Sequence, residues 1–418
     1  MARLRIAVYH NLPAGGAKRT VHDMVRGLSR THHLDCYTLG CSCHEFCDIG
    51  SYVQRTKVYP FEATPLLRSP WGRANALLRL RDMARLTRLA KRVAADIDAG
   101  GYDVALVHPS QFTQAPPLLR FLRLPSVYFC HEPLRRLYEP SAGRSRCKPG
   151  FWHRLLDTLD PWRALYLRVL AATDRAGAHA ATRVIVNSRF TSQNVKSFYG
   201  IDTGVCYHGV DTALFEPRAV DRDGMVLSVG SLTPLKGHDF VIRALATIPA
   251  QMRPRLLIVS NVENDSERTH LEHLAQELRV GLDIRHDVTD DELPELYGRA
   301  SATVYAPHRE PFGLVPLESM ACGTPVVGVR EGGIAETILD GETGFLVDRD
   351  PCAFGKAVEI ICAEPDLASR LGTKGRNHVE AEWTWNHRIK LLEKHLVETA
   401  GTASARGPIE DAKGEARA

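Results

Sequence analysis

The 418 residues lack a membrane-spanning run, since no apolar stretch approaches the ~18 residues that cross a bilayer. The chain enters a strand directly at Met1 to Val8, which leaves no room for a signal-peptide core and cleavage site, so a cytoplasmic protein is expected. Zinc-knuckle spacing of cysteines is missing too. Cys36, Cys41, Cys43 and Cys47 crowd together around His44, yet no two of the cysteines have the two-residue gap such sites use. Reduced thiols in a reducing compartment account for them. No Asp-x-Asp motif stands out as a metal carrier, and no internal repeat is written. What remains is ordinary for a globular protein: 44% hydrophobic and 24% charged residues, in a chain long enough for two cores.

The net charge of +4 hides an asymmetry. Residues 1–205 carry 30 Lys+Arg against 15 Asp+Glu, a balance of +15, and the remainder carries 23 against 34, a balance of −11. A basic half joined to an acidic half implies that the first faces an anionic partner. The acidic second half and the lack of a nucleic-acid motif argue against nucleic acid as that partner.

Both halves share one grammar. Short β-branched runs alternate with longer amphipathic stretches, the pattern of parallel sheets covered by helices. Strands are expected at 4–9, 34–39, 104–107, 126–130 and 183–187, then at 225–229, 255–259, 283–286, 302–305, 325–328 and 344–347. Helices are expected at 19–30, 74–97, 190–198 and 292–300 among others. Turn formers and charges from His208 to Gly224 mark a hinge. The domains are then 1–208 and 209–384, with a helix over 385–399 and a disordered tail at 400–418.

The chemistry concentrates in Glu310-Pro311-Phe312-Gly313-Leu314-Val315-Pro316-Leu317-Glu318, which continues to Ala321-Cys322-Gly323-Thr324-Pro325. A strand ends, a loop presents Glu310, and a helix starts near Gly313. Free amides at a helix start bind phosphate, and a glycine there allows close approach. Glu310 can reach sugar hydroxyls, and Glu318, one turn inside, can take a ribose diol. Either acid alone reads equally well as an ordinary solvated or helix-start glutamate. Three further glycine-bearing turns follow strands: Gly15-Gly16, Gly230-Ser231 leading to Lys236, and Gly332-Gly333. Lys236 can point at a diphosphate. His131 ends a first-half strand at the carboxyl edge where ligands gather in such sheets.

These segments together resemble the retaining glycosyltransferases of family 4. The glutamate–seven residues–glutamate motif of that family matches Glu310 to Glu318, in its usual setting of Pro-Phe-Gly and Ala-Cys-Gly-Thr-Pro-Val-Val. The resemblance extends to about residue 399 and is more specific in the second half. It implies the α/β GT-B fold, two Rossmann-like domains whose parallel sheets face a central cleft. It further implies that Glu310 contacts the donor sugar, that Phe312, Gly313 and Leu314 offer backbone, and that Glu318 holds the ribose. Gly332 and Gly333 would line the donor pocket, Gly15 and Gly16 would lie over the diphosphate, and His131 would stand near the transferred sugar. The base would be held by backbone at His286 and Val288. The family usually places arginine where this chain has Ser231, which leaves Lys236 as the main cation.

The expected activity is transfer of a hexose, of mannose or glucose type, from a nucleotide-diphospho-sugar to a hydroxyl, with no metal and no cofactor. A glycan or lipid-linked acceptor is expected. Arg79, Arg81, Arg85, Arg88, Lys91 and Arg92 interleave with leucines over 68–92, and 134–168 is similarly mixed, so contact with an anionic membrane is the corresponding partner expectation. Two other readings stand beside it: a nucleotide-sugar epimerase of the same fold, and a sugar-nucleotide-binding protein that has lost catalysis.

Overall fold

The computed structural model describes residues 3–67, 71–139 and 160–405. Its first sheet contains seven parallel strands: β1 (Arg5–Asn11), β2 (His33–Leu39), β3 (Arg55–Tyr59), β4 (Val104–Ser110), β5 (Ser126–Cys130), β6 (Arg183–Val186) and β7 (Gly204–Val205). Their spatial order is β3-β2-β1-β4-β5-β6-β7. Its second sheet has six: β8 (Val226–Val229), β9 (Leu256–Ser260), β10 (Leu282–His286), β11 (Ala302–Tyr305), β12 (Val326–Val329) and β13 (Gly344–Val347), ordered β10-β9-β8-β11-β12-β13. Every strand pairing is parallel, so crossover helices must cover both faces. That demand explains the near-continuous apolar runs: Val226, Leu227, Leu256, Ile258, Val326 and Val327 have no exposed surface at all.

The helices that position the site are α1 (Gly16–Leu28), α2 (Asn75–Asp98), α3 (Arg135–Tyr138), α4 (Pro161–Ala180), α5 (Arg189–Tyr199), α6 (His238–Ala246), α7 (Asp265–Glu277), α8 (Leu293–Arg299) and α9 (Leu314–Ala321). They are followed by α10 (Pro351–Ala363), α11 (Pro365–Glu382) and α12 (Trp385–Ala405). The last of these returns to the first domain, where Trp385, Ile389, Leu392 and Leu396 join the core of α1 and the first sheet. The approach of α12 to α1 is close, since a Cβ on Gly27 would lie 2.5 Å from Ile389 Cγ1. At the crossing, Val210 N donates to Trp383 O at 2.8 Å, and Gly209 has no room for a side chain against the Trp385 backbone.

Two strands go beyond the sequence expectation, β3 and β7. The tail expectation is corrected as well. α12 continues to Ala405, because Thr399 is fully buried and Thr399 and Thr402 hydroxyls bond back to His395 O and Thr399 O. Residues 406–418 lie outside the described residues, as do Arg68 and the part of the mixed basic stretch with Arg144, Arg146, Lys148, Phe151 and Trp152. Among the described residues, no helix is long and apolar enough to cross a membrane.

Candidate active site

β11 is wholly buried and ends in a loop that delivers Glu310 to the cleft between the sheets. Gly313, at φ 93°, caps α9, and a Cβ there would press within 3.3 Å of Tyr305 Cε1. A side chain would therefore be strained by both backbone and contact. From the other side comes Lys236, at the end of a tight turn over Pro234–Lys236. Its aliphatic stem runs over Gly230, where a Cβ would meet Lys236 Cγ and Cδ at 3.3 Å. Gly237 then packs so tightly on Ala306 O that a Cβ would fall 2.1 Å away. These two glycines bring Lys236 Nζ to 2.9 and 3.0 Å from the two carboxylate oxygens of Glu310. The pair is about a fifth exposed on each side, open enough to exchange partners with an incoming anion.

Glu318 sits one turn inside α9 and is buried. Tyr297, itself without exposed surface, donates its hydroxyl to Glu318 Oε2 at 2.9 Å. Burial pushes the Glu318 carboxyl above its usual range, while the Arg19 charge and the Tyr297 bond pull the other way. Arg19 reaches the same place from the first domain and holds Asp290 with two bonds, at 2.9 and 2.5 Å. Arg19, Asp290, Leu314 and Glu318 line a cavity of about 90 Å³ that extends to Gly209 and Asp211.

The Gly15-Gly16 turn opens α1 directly opposite α9: a Cβ on Gly16 would stand 3.8 Å from Leu314 Cδ1. Two helix N-termini thus meet across the cleft, a positive environment that suits an anion. Gly332 and Gly333 are placed differently. They press on the back of the Glu310 loop, where Gly333 N donates to Glu310 O at 2.8 Å and a Cβ on Gly332 would lie 2.3 Å from that same oxygen. The pair opens a short 3-10 turn, Gly332–Glu336, and supports the loop.

Phe312 is buried, its ring packed among Tyr207, His208 and Trp383 at the interdomain crossing, so only its backbone is available to a ligand. Ser231 O accepts from Thr233 N at 2.8 Å, shaping the turn that leads to Lys236. His286 ends β10, and neither of its buried ring nitrogens has a partner among the described residues. Asp287 then takes a left-handed φ of 54°, and Val288 packs on the second-domain core.

His131 belongs to a set that sequence reasoning did not assemble. Its ring lies 5.7 Å from His108, 5.1 Å from Phe129 and 5.2 Å from His208, and His108 Nδ1 is 3.4 Å from His131 Nε2. Burial pushes His131 down to about 4 and holds His108 and His208 well below the usual imidazole value, so all three rings are neutral at pH 7. Next to it, burial lifts the Glu132 carboxyl to about 7, against the pull of Arg135 and with a push from Glu310. Tyr297, Arg19, Asp290 and Glu336 were likewise missed. Arg19 and Asp290 lie near helix starts, whereas Tyr297 inside α8 and Glu336 at the end of its turn carry no signal in the sequence. Among the described residues, no group of three or more His, Cys, Asp or Glu side chains is placed to hold a metal ion.

With this geometry in view, the chain was compared with known proteins. Residues 210–378 match the family model of glycosyl transferases group 1, and residues 14–214 match that of glycosyltransferase family 4. A D-inositol 3-phosphate glycosyltransferase of Acidothermus cellulolyticus is 37% identical over 272 residues, 57% of this chain and 60% of that protein. One from Thermomonospora curvata is 33% identical over 243 residues, 51% of this chain and 56% of that protein. The chain thus spans 60% or less of the length of these curated relatives. Among solved structures, a sucrose-phosphate synthase of Thermosynechococcus elongatus superposes with a TM-score of 0.73 at 22% identity, covering 96% of this chain and 100% of that one. Anabaena HepE in complex with UDP and glucose gives 0.68 at 18% identity, covering 94% and 100%. These likenesses show a shared fold of two Rossmann-like domains.

Proposed function

Because the chain belongs to glycosyltransferase family 4 and has the GT-B fold, we propose that it is a retaining hexosyltransferase that uses a nucleotide-diphospho-sugar. The sugar, of mannose or glucose type, goes to a hydroxyl of a glycan or lipid-linked acceptor in cell-surface glycan or glycolipid synthesis. One observation carries the reading: Lys236, Glu310 and the start of α9 converge on one wall of the cleft, facing the Gly15-Gly16 turn on the other.

In this reading the diphosphate takes Lys236 from Glu310 and rests on the amides at Gly313 and Leu314. Glu310, released, turns to the sugar hydroxyls, and the free oxygen of Glu318 accepts from the ribose. The backbone from His286 to Val288 holds the base. The acceptor hydroxyl attacks the anomeric carbon from the leaving-group face and gives its proton to the departing phosphate oxygen. The protein supplies position and charge stabilisation. The UDP and glucose named for HepE agree with a sugar-nucleotide donor, and the D-inositol 3-phosphate in the name of the relatives is a polyol, which agrees with a hydroxyl acceptor. An acceptor at a membrane surface is supported by Leu77, Trp162 and Leu165, which are exposed on α2 and α4. Binding to anionic but not neutral vesicles tests that part.

Ser231 favours one rival, a binder without turnover, since the family's usual second cation is missing there. Incubation with UDP-, GDP- and ADP-hexoses separates the readings. Release of nucleoside diphosphate with an α-linked product supports transfer. Binding without release supports the rival, and a free epimerised donor would support epimerisation.

A further inference from the structure

Glu336 ends the short turn that begins with Gly332-Gly333 in the second domain, and its carboxylate reaches into the first. Glu336 Oε2 accepts from Arg189 N and Oε1 from Phe190 N, both at 2.9 Å. Tyr207 donates its hydroxyl to Oε2 at 2.8 Å. Arg189 and Phe190 are the first two residues of α5, an eleven-residue helix whose third amide is capped by Ser188 Oγ at 2.9 Å. A carboxylate from the second domain therefore completes the N-terminus of a first-domain helix. Unsatisfied amides and the helix dipole favour an acid there.

The same helix start holds the other side of the donor loop. Ser188 Oγ donates to Pro311 O at 2.5 Å, and Thr191 Oγ1 lies 3.3 Å from that oxygen. Pro311 follows Glu310 directly. Behind Glu310, Gly332 and Gly333 leave no space, with Gly333 N bonded to Glu310 O. Both flanks of Glu310 are thus fixed by one first-domain helix end: through Pro311 on one side, and through Glu336 and the glycine turn on the other.

We propose that Glu336 is a positioning residue that couples closure of the two domains to the geometry of the Glu310 loop. When the domains part, Glu336 leaves the α5 amides at the moment Pro311 loses its hydroxyl donors, and the loop relaxes. When they close, Glu310 is set for the donor sugar. The proposal rests on the reading that Glu310 serves that sugar, but its mechanical half stands on the contacts alone.

Two measurements on the full chain test it. Glu336→Ala is expected to enlarge the radius of gyration of the ligand-free protein in small-angle scattering. It is also expected to lower kcat by about tenfold to a hundredfold, the scale of a slightly misplaced catalytic group, while donor KM changes little. Ser188→Ala, which removes one hydroxyl donor to the Pro311 carbonyl and the cap on Thr191 N but leaves the Glu336 carboxylate in place, is expected to lower kcat in the same direction, and it guards against a folding defect specific to the first variant. Wild-type kcat in both variants would overturn the proposal. So would a rise in donor KM at unchanged kcat, which would make Glu336 part of the donor pocket itself. An unchanged scattering profile in Glu336→Ala would also overturn it. If the wild-type chain turns over no sugar nucleotide, the function fails instead, and the scattering comparison alone decides the coupling.

Discussion

Replacing Glu318 with Gln is expected to stabilise the protein at neutral pH while weakening its donor site. Glu318 is 7% exposed and has one strong partner, the Tyr297 hydroxyl at 2.9 Å. Burial raises its carboxyl above the ordinary 4.5, so the folded state holds that proton more tightly than the unfolded state. Stability from this group is therefore complete below the unfolded value near 4.5 and is lost as pH rises through the raised folded value. A Gln keeps an acceptor for Tyr297 and does not ionise, so it escapes the loss. The gain at pH 7.5 comes from removing a buried negative charge, whose desolvation the neutral amide avoids. Binding moves the other way. A hydroxyl bonded to a carboxylate contributes ~1.5–3 kcal/mol and one bonded to a neutral acceptor ~0.5–1.5, a gap of about tenfold in Kd. The assay is melting temperature from pH 4.5 to 8 for both proteins, with calorimetric titration of nucleoside diphosphate at pH 7.5. The reasoning is refuted if Glu318→Gln melts lower than wild type at pH 7.5 and binds the nucleotide equally well.

Other perturbations probe separate parts. Glu310→Gln is expected to cut turnover by roughly a hundredfold, the scale of a lost electrostatic contact in the transition state, with an unchanged melting temperature. Near-normal turnover would remove Glu310 from the chemistry. Ser231→Arg is expected to tighten nucleoside diphosphate binding by adding a second cation near Lys236, and titration showing no change would place Ser231 away from the diphosphate. Gly332→Ala puts a Cβ 2.3 Å from Glu310 O at a φ of +66°, so a loss of ~1–3 kcal/mol in chemical denaturation is expected, along with lower activity. His131 and His238, both pushed down to about 4 by burial, bind protons more weakly folded than unfolded. Their stability is present above 6.5 and lost as pH falls through 4, at about 1.4 kcal/mol per pH unit for each, so a flat melting curve from pH 6.5 to 4 would contradict their burial.

Most of the second sheet was readable because its strands other than β10 are short apolar runs between clear turn signals, as at Val326–Val329 after Gly323 and Pro325, while the edge strand β10 shows itself by alternating Leu282 and Ile284 with charges. β3 was not, because Arg55 and Lys57 break its pattern. It is an edge strand, and edges carry charge where central strands cannot. β7 has only two residues and offers no periodicity to read. The spacing from Glu310 to Glu318 survives in the fold because a helix start converts spacing directly into geometry. Partners far apart in the chain leave no such trace. Arg19 with Asp290 and Glu336 with Arg189 are joined only once two domains face each other. The buried histidines are similar: His10, His108 and His131 each lie at or beside the end of a different strand, and only the sheet order makes neighbours of them. Gly332 and Gly333 read in the sequence as a glycine pair opening a helix beside the donor pocket, and the close contact of their backbone with the Glu310 loop becomes visible only in the fold.

The central claim is a sugar-nucleotide site in the cleft, and thermal shift with UDP, GDP, ADP and their hexose conjugates tests it most directly. A ligand that binds only the folded state raises stability by about 2.7 kcal/mol at a hundredfold excess over Kd. A clear shift is expected with one base, larger for the sugar conjugate, and smaller in Lys236→Ala. Folded protein that shifts with none of them, or a shift that Lys236→Ala leaves intact, would contradict it.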